Sequence, residues 1–310
     1  MGKLVNGEWT TQWYAPDKKG QFVRPDTVFR DSIESGGRFA PESGRYHLYL
    51  SNACPWAHRT RIHRALLGLE EVISISIVDA LMGDDGWVFT DNPGTIGDPI
   101  HDARFLRDIY TAAQHDYTGR VTVPVLWDRK ESTIVNNESR EIIRMMNSSL
   151  APLGSGNVTL WDAQREAAID AALDAFYEPI NNGVYRAGFA TSQAAYDGAV
   201  ETLFDALDYW EDVLSRQRFV VGNQLSEADI CLFTTLIRFD SVYHGHFKCN
   251  RRRIVDYEHL SRWMREVHDT PGVAGTINMD HIMRHYYWSH DSINPTRVVP
   301  VGPATIWRLA

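Results

Sequence analysis

The sequence lacks several features that would assign the chain to one of the specialised protein classes. Nowhere in its 310 residues is there an apolar run of about 18 residues, so no membrane-spanning helix is expected. The first residues contain no apolar core, so we expect no signal peptide. No glycine-rich phosphate-binding fingerprint occurs, which argues against a nucleotide cofactor.

Basic residues and cysteines are also scarce. Lys and Arg number 31 against 40 Asp and Glu, and the formal charge is -9. Nucleic-acid binding requires neutralisation of phosphates, so this balance argues against a nucleic-acid partner. The 3 cysteines are too few for a disulfide framework, and free thiols are typical of a reducing compartment. We therefore expect a cytoplasmic protein with neither a membrane nor a nucleic-acid partner.

The first half of the chain predicts a mixed α/β domain. The patterns at 46–51 and 73–78 predict two strands. Between them, directly after Pro55, the apolar residues of 56–69 have helical spacing and predict a helix. Proline is favoured at the first position of a helix because its missing N–H is unpaired there anyway. Beyond a long insertion at 79–120, with a helix at 101–113, the patterns predict strands at 121–128 and 133–135 and a helix at 138–146.

The remaining segments complete an α/β plus all-α architecture. Residues 1–45 lack periodicity and predict a coil, anchored on the body by Trp9, Trp13, Phe22 and Phe29. The Ser-, Gly- and Pro-rich stretch 149–160 predicts a linker. The predicted helices beyond it are 162–178, 194–215, 226–240 and 257–269, and the tail from 277 is predicted to be irregular. The expected domains are therefore 46–148, with its insertion, and a helical domain at 161–310.

Cys54 lies at the turn between the first predicted strand and the helix after it. A helix N-terminus presents unpaired N–H groups and a partial positive charge, so the thiol of Cys54 is expected to ionise more readily than an ordinary thiol. Ala57 stands where a dithiol motif would have its second cysteine. A mixed disulfide at Cys54 would need an external thiol, and glutathione is the abundant cytoplasmic choice. The alternative interpretation is that Cys54 is only a small, buried, apolar residue.

Three short stretches resemble the thioredoxin-like half of a glutathione transferase. They are 54–57 (CPWA), 122–125 (TVPV) and 137–139 (NES). The resemblance implies that Pro124 follows a cis peptide bond and that Val123 offers its main-chain N–H and C=O to glutathione. It also implies that Glu138 and Ser139 begin a helix and bind the γ-glutamyl end, because the N–H groups of a helix N-terminus bind carboxylates.

Four more stretches narrow the resemblance to the glutathionyl-hydroquinone reductases, the Xi class of glutathione transferases. They are 86–89 (GWVF), 238–243 (RFDSVY), 247–250 (FKCN) and 285–290 (HYYWSH), and the match covers nearly the whole chain. The resemblance implies a homodimer that uses glutathione and a glutathionyl-hydroquinone. Cys54 would attack the glutathione sulfur of that substrate, and a second glutathione would resolve the mixed disulfide and leave as oxidised glutathione.

The same resemblance implies a role for each of the remaining candidate site residues. It implies that Tyr185, Tyr243 and Tyr286 bind the hydroquinone ring, and that Trp87 contacts glutathione. Arg120 is a candidate for a glutathione carboxylate, since arginine makes bidentate contacts with carboxylates. Any one of the tyrosines taken alone would fit an amphipathic core position better than a pocket, and the arginine would fit a solvated surface position equally well.

Other interpretations remain open on the residues alone. The histidines of 244–246 and of 281–290 have spacings that a metal site could use, but the glutamate of the metalloprotease helix motif is absent. We expect packing or hydrogen-bonding histidines and no metal. An omega-like thiol transferase or a dehydroascorbate reductase would use the same cysteine, without needing a pocket for a flat ring. A non-catalytic docking domain would not need the cysteine at all.

Overall fold

The computed structural model describes residues 2–12, 14, 16–23 and 26–302, which divide into two compact units. Within the described residues, unit 1 comprises 2–12, 26–158 and 275–285, and unit 2 comprises 14, 16–23, 159–274 and 286–302. Trp13, one of the four predicted anchors of the N-terminal coil, lies outside the described residues.

A four-stranded sheet forms the centre of unit 1, in the order β4-β3-β6-β7. The strands are β3 (Tyr46–Leu50), β4 (Ile73–Ile77), β6 (Val125–Asp128) and β7 (Thr133–Asn136). β3 and β4 are parallel and are connected by α1 (Pro55–Leu66), whereas β6 is antiparallel to both β3 and β7. α3 (Ser139–Asn147) follows β7 and packs against α1. This is the thioredoxin-like arrangement that the resemblance implied.

Strand β3 is buried on both faces, although its alternating sequence could equally have left one face in water. All five of its residues are buried. The Tyr49 hydroxyl donates to Asp98 Oδ1 at 2.9 Å, and the His47 ring nitrogens bond Ser74 and Ser76 at 2.7 and 2.9 Å. Because Asp98 belongs to the insertion, the insertion covers the second face of the sheet.

The N-terminal prediction of a coil is wrong for two short segments. β1 (Lys3–Val5) and β2 (Glu8–Thr10) form a three-stranded antiparallel sheet with β5 (Gly119–Arg120), in the order β2-β1-β5. Strands of two or three residues are too short to show a period in the sequence.

The insertion and the strand after it also differ from their predicted bounds. α2 spans Leu106–Ala113 and so begins later than predicted. The Asp98 carboxylate accepts the N–H groups of Ile100, His101 and Ala103, and thereby holds these residues in a turn. The third predicted strand begins only at Val125, directly after the cis peptide.

Unit 2 is helical. Its helices are α4 (Glu166–Phe176), α5 (Gly183–Gly188), α6 (Gln193–Arg216), α7 (Glu227–Leu236) and α8 (Glu258–Asp269). Ser226 and Asp229 form a reciprocal capping box at the start of α7, with a Ser226 N to Asp229 Oδ2 distance of 2.9 Å. The buried Asp229 carboxylate also accepts from Val220 N at 2.7 Å and from Trp263 Nε1 at 2.9 Å. One side chain therefore joins α7 to α8.

The C-terminal tail contains a helix, so the prediction of an irregular tail is wrong for α9 (Met279–Ser289). Asn278 Oδ1 accepts the His281 N–H at 3.0 Å and caps the first turn. The residues of α9 up to His285 are part of unit 1, and those from Tyr286 are part of unit 2. None of the helices in the described part of the chain has both the length and the apolar character needed to cross a membrane.

Candidate active site

Cys54 is the N-cap residue of α1. Its backbone is extended, with φ -76° and ψ 123°, and its carbonyl accepts the His58 N–H at 3.0 Å. Pro55 occupies the first helical turn, and that turn contains no acidic side chain. The half-buried thiol of Cys54 therefore faces the positive end of the helix without an opposing charge from that turn.

Val123 approaches Cys54 from the turn before β6. The thiol donates to the Val123 carbonyl, with an Sγ–O distance of 3.7 Å, and both Val123 and Pro124 are buried. The Val123–Pro124 peptide bond is cis, which confirms what the resemblance implied. The structure thus brings together Cys54, Val123 and Pro124. A thiolate cannot donate, so the contact with this carbonyl favours the protonated thiol.

Glu138 and Ser139 stand at the beginning of α3, where the resemblance implied a helix start. Glu138 is the N-cap, and its side chain accepts the Arg140 N–H at 3.2 Å. Arg59 Nη1 donates to Ser139 Oγ at 3.3 Å, and the Arg59 guanidinium lies over the Trp56 ring at 4.3 Å. The sequence did not single out Arg59 as a residue that contacts the start of α3. Its i,i+3 spacing from Trp56 on a predicted helix is the signal that could have found it.

Trp87 is buried in the insertion, with 4% of its surface exposed. Its ring stacks on that of His285, with centroids 4.9 Å apart. Nothing in the described part of the chain accepts a hydrogen bond from its indole N–H. A buried donor without a partner costs about 1–3 kcal/mol, which a ligand with a suitably placed acceptor would recover.

Arg120 makes hydrogen bonds to main-chain carbonyls that the sequence did not indicate. It lies in β5, and its Nη1 donates to the carbonyls of Gly2 at 3.3 Å and Gln12 at 2.5 Å. These bonds fasten the N-terminal segment to the body of unit 1. The glutathione contact expected of Arg120 stays a prediction.

In unit 2, Tyr185, Tyr243 and Tyr286 meet at their hydroxyl groups; we call them the tyrosine trio. The Tyr286 hydroxyl lies 2.5 Å from that of Tyr185 and 3.0 Å from that of Tyr243. Burial raises the pKa of Tyr286 well above its ordinary value, and the neighbouring Tyr185 and Tyr243 raise it further. Tyr286 therefore remains a neutral phenol whose hydroxyl can donate a hydrogen bond.

The backbone around the trio is irregular in a way that sequence periodicity does not show. π-helical segments span Tyr177–Asn181, just before α5, and Phe239–Tyr243. π-helical segments are rare in proteins, and many of those that occur lie at functional sites. At Gly188 an added Cβ would overlap the Phe247 ring, and the centroid of this ring lies 5.4 Å from that of Tyr243, on which it stacks. A glycine is therefore required for the close packing beside the trio.

Four of the five histidines in 244–246 and 281–290 make side-chain hydrogen bonds, as expected. His281 and His285 bond the main-chain carbonyls of Pro93 and Ala80, at 2.8 and 2.9 Å. His246 bonds His290 at 3.2 Å, and burial lowers the pKa of His246 to about 4. Within the described ranges, no group of three or more His, Cys, Asp or Glu side chains is arranged to hold a metal ion.

Comparison with protein families gives two matches along the chain. The family described as glutathione S-transferase, N-terminal domain, matches residues 53–149. The family described as glutathione S-transferase, C-terminal domain, matches residues 193–266. The first match includes Cys54, Trp87 and the start of α3, and the second includes Tyr243.

Individual proteins are similar over nearly their full lengths. Glutathionyl-hydroquinone reductase PcpF of Sphingobium chlorophenolicum is 50% identical, over 98% of this chain and 97% of its own. The structure of a Xi-class glutathione transferase from Natrialba magadii superposes with a TM-score of 0.94 at 49% identity, covering 100% and 95% of the two chains.

A third relative has been solved with glutathione bound. This is YqjG of Escherichia coli, which is also named a glutathionyl-hydroquinone reductase. It superposes with a TM-score of 0.89 at 46% identity, covering 98% of this chain and 96% of its own. By sequence and by fold, the chain belongs to the Xi-class glutathione transferases, the family of the glutathionyl-hydroquinone reductases.

Proposed function

We propose that the protein reduces glutathionyl-hydroquinones to hydroquinones at the expense of glutathione. The observation that carries the proposal is the single thiol of Cys54 at the N-terminus of α1, with Ala57 in place of a resolving cysteine. The kinship with two proteins named glutathionyl-hydroquinone reductases supports the substrate class.

The reaction balances in two steps. The Cys54 thiolate attacks the glutathionyl sulfur of the substrate, an S–S bond forms, and the bond from sulfur to the ring carbon breaks. The electron pair of that bond stays with the ring carbon, which takes up a proton, so the ring is reduced while the two sulfurs are oxidised. A second glutathione, as its thiolate, then attacks the mixed disulfide, releasing oxidised glutathione and the Cys54 thiolate.

The glutathione part of the substrate is proposed to bind along unit 1. The main chain of Val123, before the cis Pro124, would pair with the cysteinyl part, and Glu138 and Ser139 would hold the γ-glutamyl end. Trp87 offers a buried N–H that lacks an acceptor among the described residues, which supports a polar ligand contact there.

The tyrosine trio is proposed to bind the hydroquinone ring and to supply the proton that the ring carbon takes up. Carbon is a poor leaving group without protonation, and a positioned acid contributes about 10²–10⁴-fold to such a step. The geometry of the trio supports this assignment, because the Tyr286 hydroxyl lies 2.5 Å from that of Tyr185 and 3.0 Å from that of Tyr243, which places three proton-bearing groups together.

We also propose an oligomeric state and a cellular compartment for the protein. The resemblance supports a homodimer, which light scattering of the purified protein would test through its mass. The chain contains only 3 cysteines, too few for a disulfide framework, which supports a reducing compartment such as the cytoplasm. Fractionation of the cells that contain the protein would test the location.

The decisive experiment is intact-protein mass spectrometry after incubation with a glutathionyl-hydroquinone in the absence of free glutathione. We expect a gain of one glutathionyl group, mapped to Cys54 and not to the buried Cys231 or Cys249, together with released hydroquinone. The variant Cys54→Ser should form no adduct. An adduct with oxidised glutathione alone would instead identify a general thiol transferase. No adduct with either compound would favour a docking domain.

A further inference from the structure

We infer that His285 is a positioning residue for Trp87, and that it sets the affinity for glutathione without taking part in the chemistry. This inference rests on the proposed contact between Trp87 and glutathione. Every contact that it uses lies within unit 1, between the insertion and the first part of α9.

The main chain on both sides of Trp87 is fixed by hydrogen bonds. The Leu106 N–H donates to the Trp87 carbonyl at 3.0 Å, and the Asp79 N–H donates to the Val88 carbonyl at 2.8 Å. The turn before Trp87 is closed by a bond from Gly86 N–H to the Gly83 carbonyl, and Gly86 has a φ of 73°, which favours glycine. The remaining freedom of Trp87 is therefore rotation of its side chain.

His285 restricts that rotation. The imidazole and indole rings are stacked, with their planes 17° apart and their centroids 4.9 Å apart. Both side chains are buried, at 6% exposure for His285 and 4% for Trp87. Turning the indole about its side-chain bonds would break this stack, so the ring of His285 determines the plane of the indole and the direction of its N–H.

The imidazole is itself held in place. Its Nδ1 lies 2.9 Å from the Ala80 carbonyl, which has no proton to give, so Nδ1 carries the proton and donates. Ala80 belongs to the same insertion as Trp87. His285 therefore contacts the insertion at two points, through its bond to the Ala80 carbonyl and through its stack on Trp87. One turn earlier on α9, His281 Nε2 donates to the Pro93 carbonyl at 2.8 Å and secures the helix separately.

Equilibrium binding and steady-state kinetics on single and double variants test this inference. The probe is S-methylglutathione, which lacks the free thiol needed to resolve a mixed disulfide. The change His285→Leu, which removes both the stack and the bond to Ala80, should raise the Kd by about tenfold, or about 1.4 kcal/mol. The kcat at saturating substrate should change less than about twofold. The variant His285→Phe retains an aromatic ring and should restore most of the affinity.

The matched control is His281→Gln, which alters a buried α9 histidine that bonds a main-chain carbonyl but is not stacked on Trp87. It should leave the Kd unchanged. If it raises the Kd as much as His285→Leu does, displacement of the helix explains the effect and the inference is wrong. A parallel fall in kcat for His285→Leu would overturn it as well.

A double-variant cycle separates the inference from the function on which it rests. Trp87→Phe should weaken binding, and His285→Leu should then add nothing in the Trp87→Phe background. Full additivity would show that His285 does not act through Trp87. If Trp87→Phe alone leaves the Kd unchanged, the proposed Trp87 contact fails and the inference fails with it. The Cys54 adduct would still report independently on the reductase activity.

Discussion

Replacing Tyr286 by phenylalanine removes one oxygen atom and both hydrogen bonds of the tyrosine trio. Tyr286 is the central member, at 2.5 Å from the Tyr185 hydroxyl and 3.0 Å from that of Tyr243. Three phenols carry three protons and the two bonds within the trio use two of them, so one hydroxyl proton is left to donate elsewhere. Without the central oxygen, the outer two hydroxyls lose their connection.

The expected magnitudes separate a chemical role from a structural one. Two lost hydrogen bonds, at roughly 0.5–1.5 kcal/mol each, should lower the free energy of unfolding by about 1–3 kcal/mol. Loss of a positioned proton donor should lower kcat with a glutathionyl-hydroquinone by about 10²–10⁴-fold. The Kd for S-methylglutathione should change less than about threefold, because glutathione is proposed to bind in unit 1. Urea unfolding, steady-state kinetics and calorimetry measure the three quantities.

Tyr257→Phe is the matched control in the same unit. Tyr257 is buried and donates to Asp208 Oδ1 at 3.0 Å, so its loss should lower stability to a similar degree while kcat is unchanged. The raised pKa of Tyr286 predicts no loss of wild-type activity from this group on the alkaline side below about pH 10. If Tyr286→Phe retains more than about a tenth of kcat, or if Kd and kcat change in parallel, the hydroxyl is structural.

Three further predictions concern stability and the thiol. Asp229→Ala removes a buried carboxylate that accepts four hydrogen bonds and should cost about 3–5 kcal/mol in urea unfolding, and a cost below about 1 kcal/mol would contradict this. Burial lowers the pKa of His47 and of His63 to about 4, so each resists protonation in the folded state. Stability should therefore be constant above about pH 6.5 and fall between about pH 6.5 and 4, by up to about 3 kcal/mol per histidine. His47→Gln should flatten this dependence of the urea midpoint on pH, and an unchanged slope would refute the assignment. Cys54 should be half-maximally alkylated at a pH below the ordinary thiol value of about 8.5, and a midpoint at or above that value would contradict a helix-favoured thiolate.

The elements that the sequence predicted well are those with local signals. Pro55 marks the start of α1, and the Ser226–Asp229 spacing marks the start of α7, because both signals act within one helical turn. The missed elements depend on distant partners. β1 pairs with β5 more than a hundred residues away, as in Lys3 opposite Arg120, and no local pattern records such a pairing. α9 likewise depends on contacts such as that of His285 with the insertion.

The residues of the candidate site also differ in whether a local signal or a distant contact determines their position. Helix-start chemistry at Cys54 follows from neighbouring residues, so the sequence could indicate it directly. The tyrosine trio joins residues up to 101 positions apart, and only the resemblance assembled it before the structure did. The bonds from Arg120 to the carbonyls of Gly2 and Gln12 could not be predicted either, because these partners lie more than a hundred positions away, and its contact with glutathione stays a prediction.

Two influences on the ionisation of the Cys54 thiol oppose each other, and occupancy of the Val123 main chain decides between them. The helix start favours the thiolate, whereas the Val123 carbonyl, 69 positions along the chain, accepts from the thiol and favours the protonated form. In the proposed binding mode, the cysteinyl N–H of glutathione donates to that carbonyl, and the bond from the thiol to Val123 is broken as the substrate binds. Ionisation of Cys54 is then coupled to occupancy of the Val123 main chain. The free enzyme would keep its nucleophile partly protonated, and the bound substrate would release it.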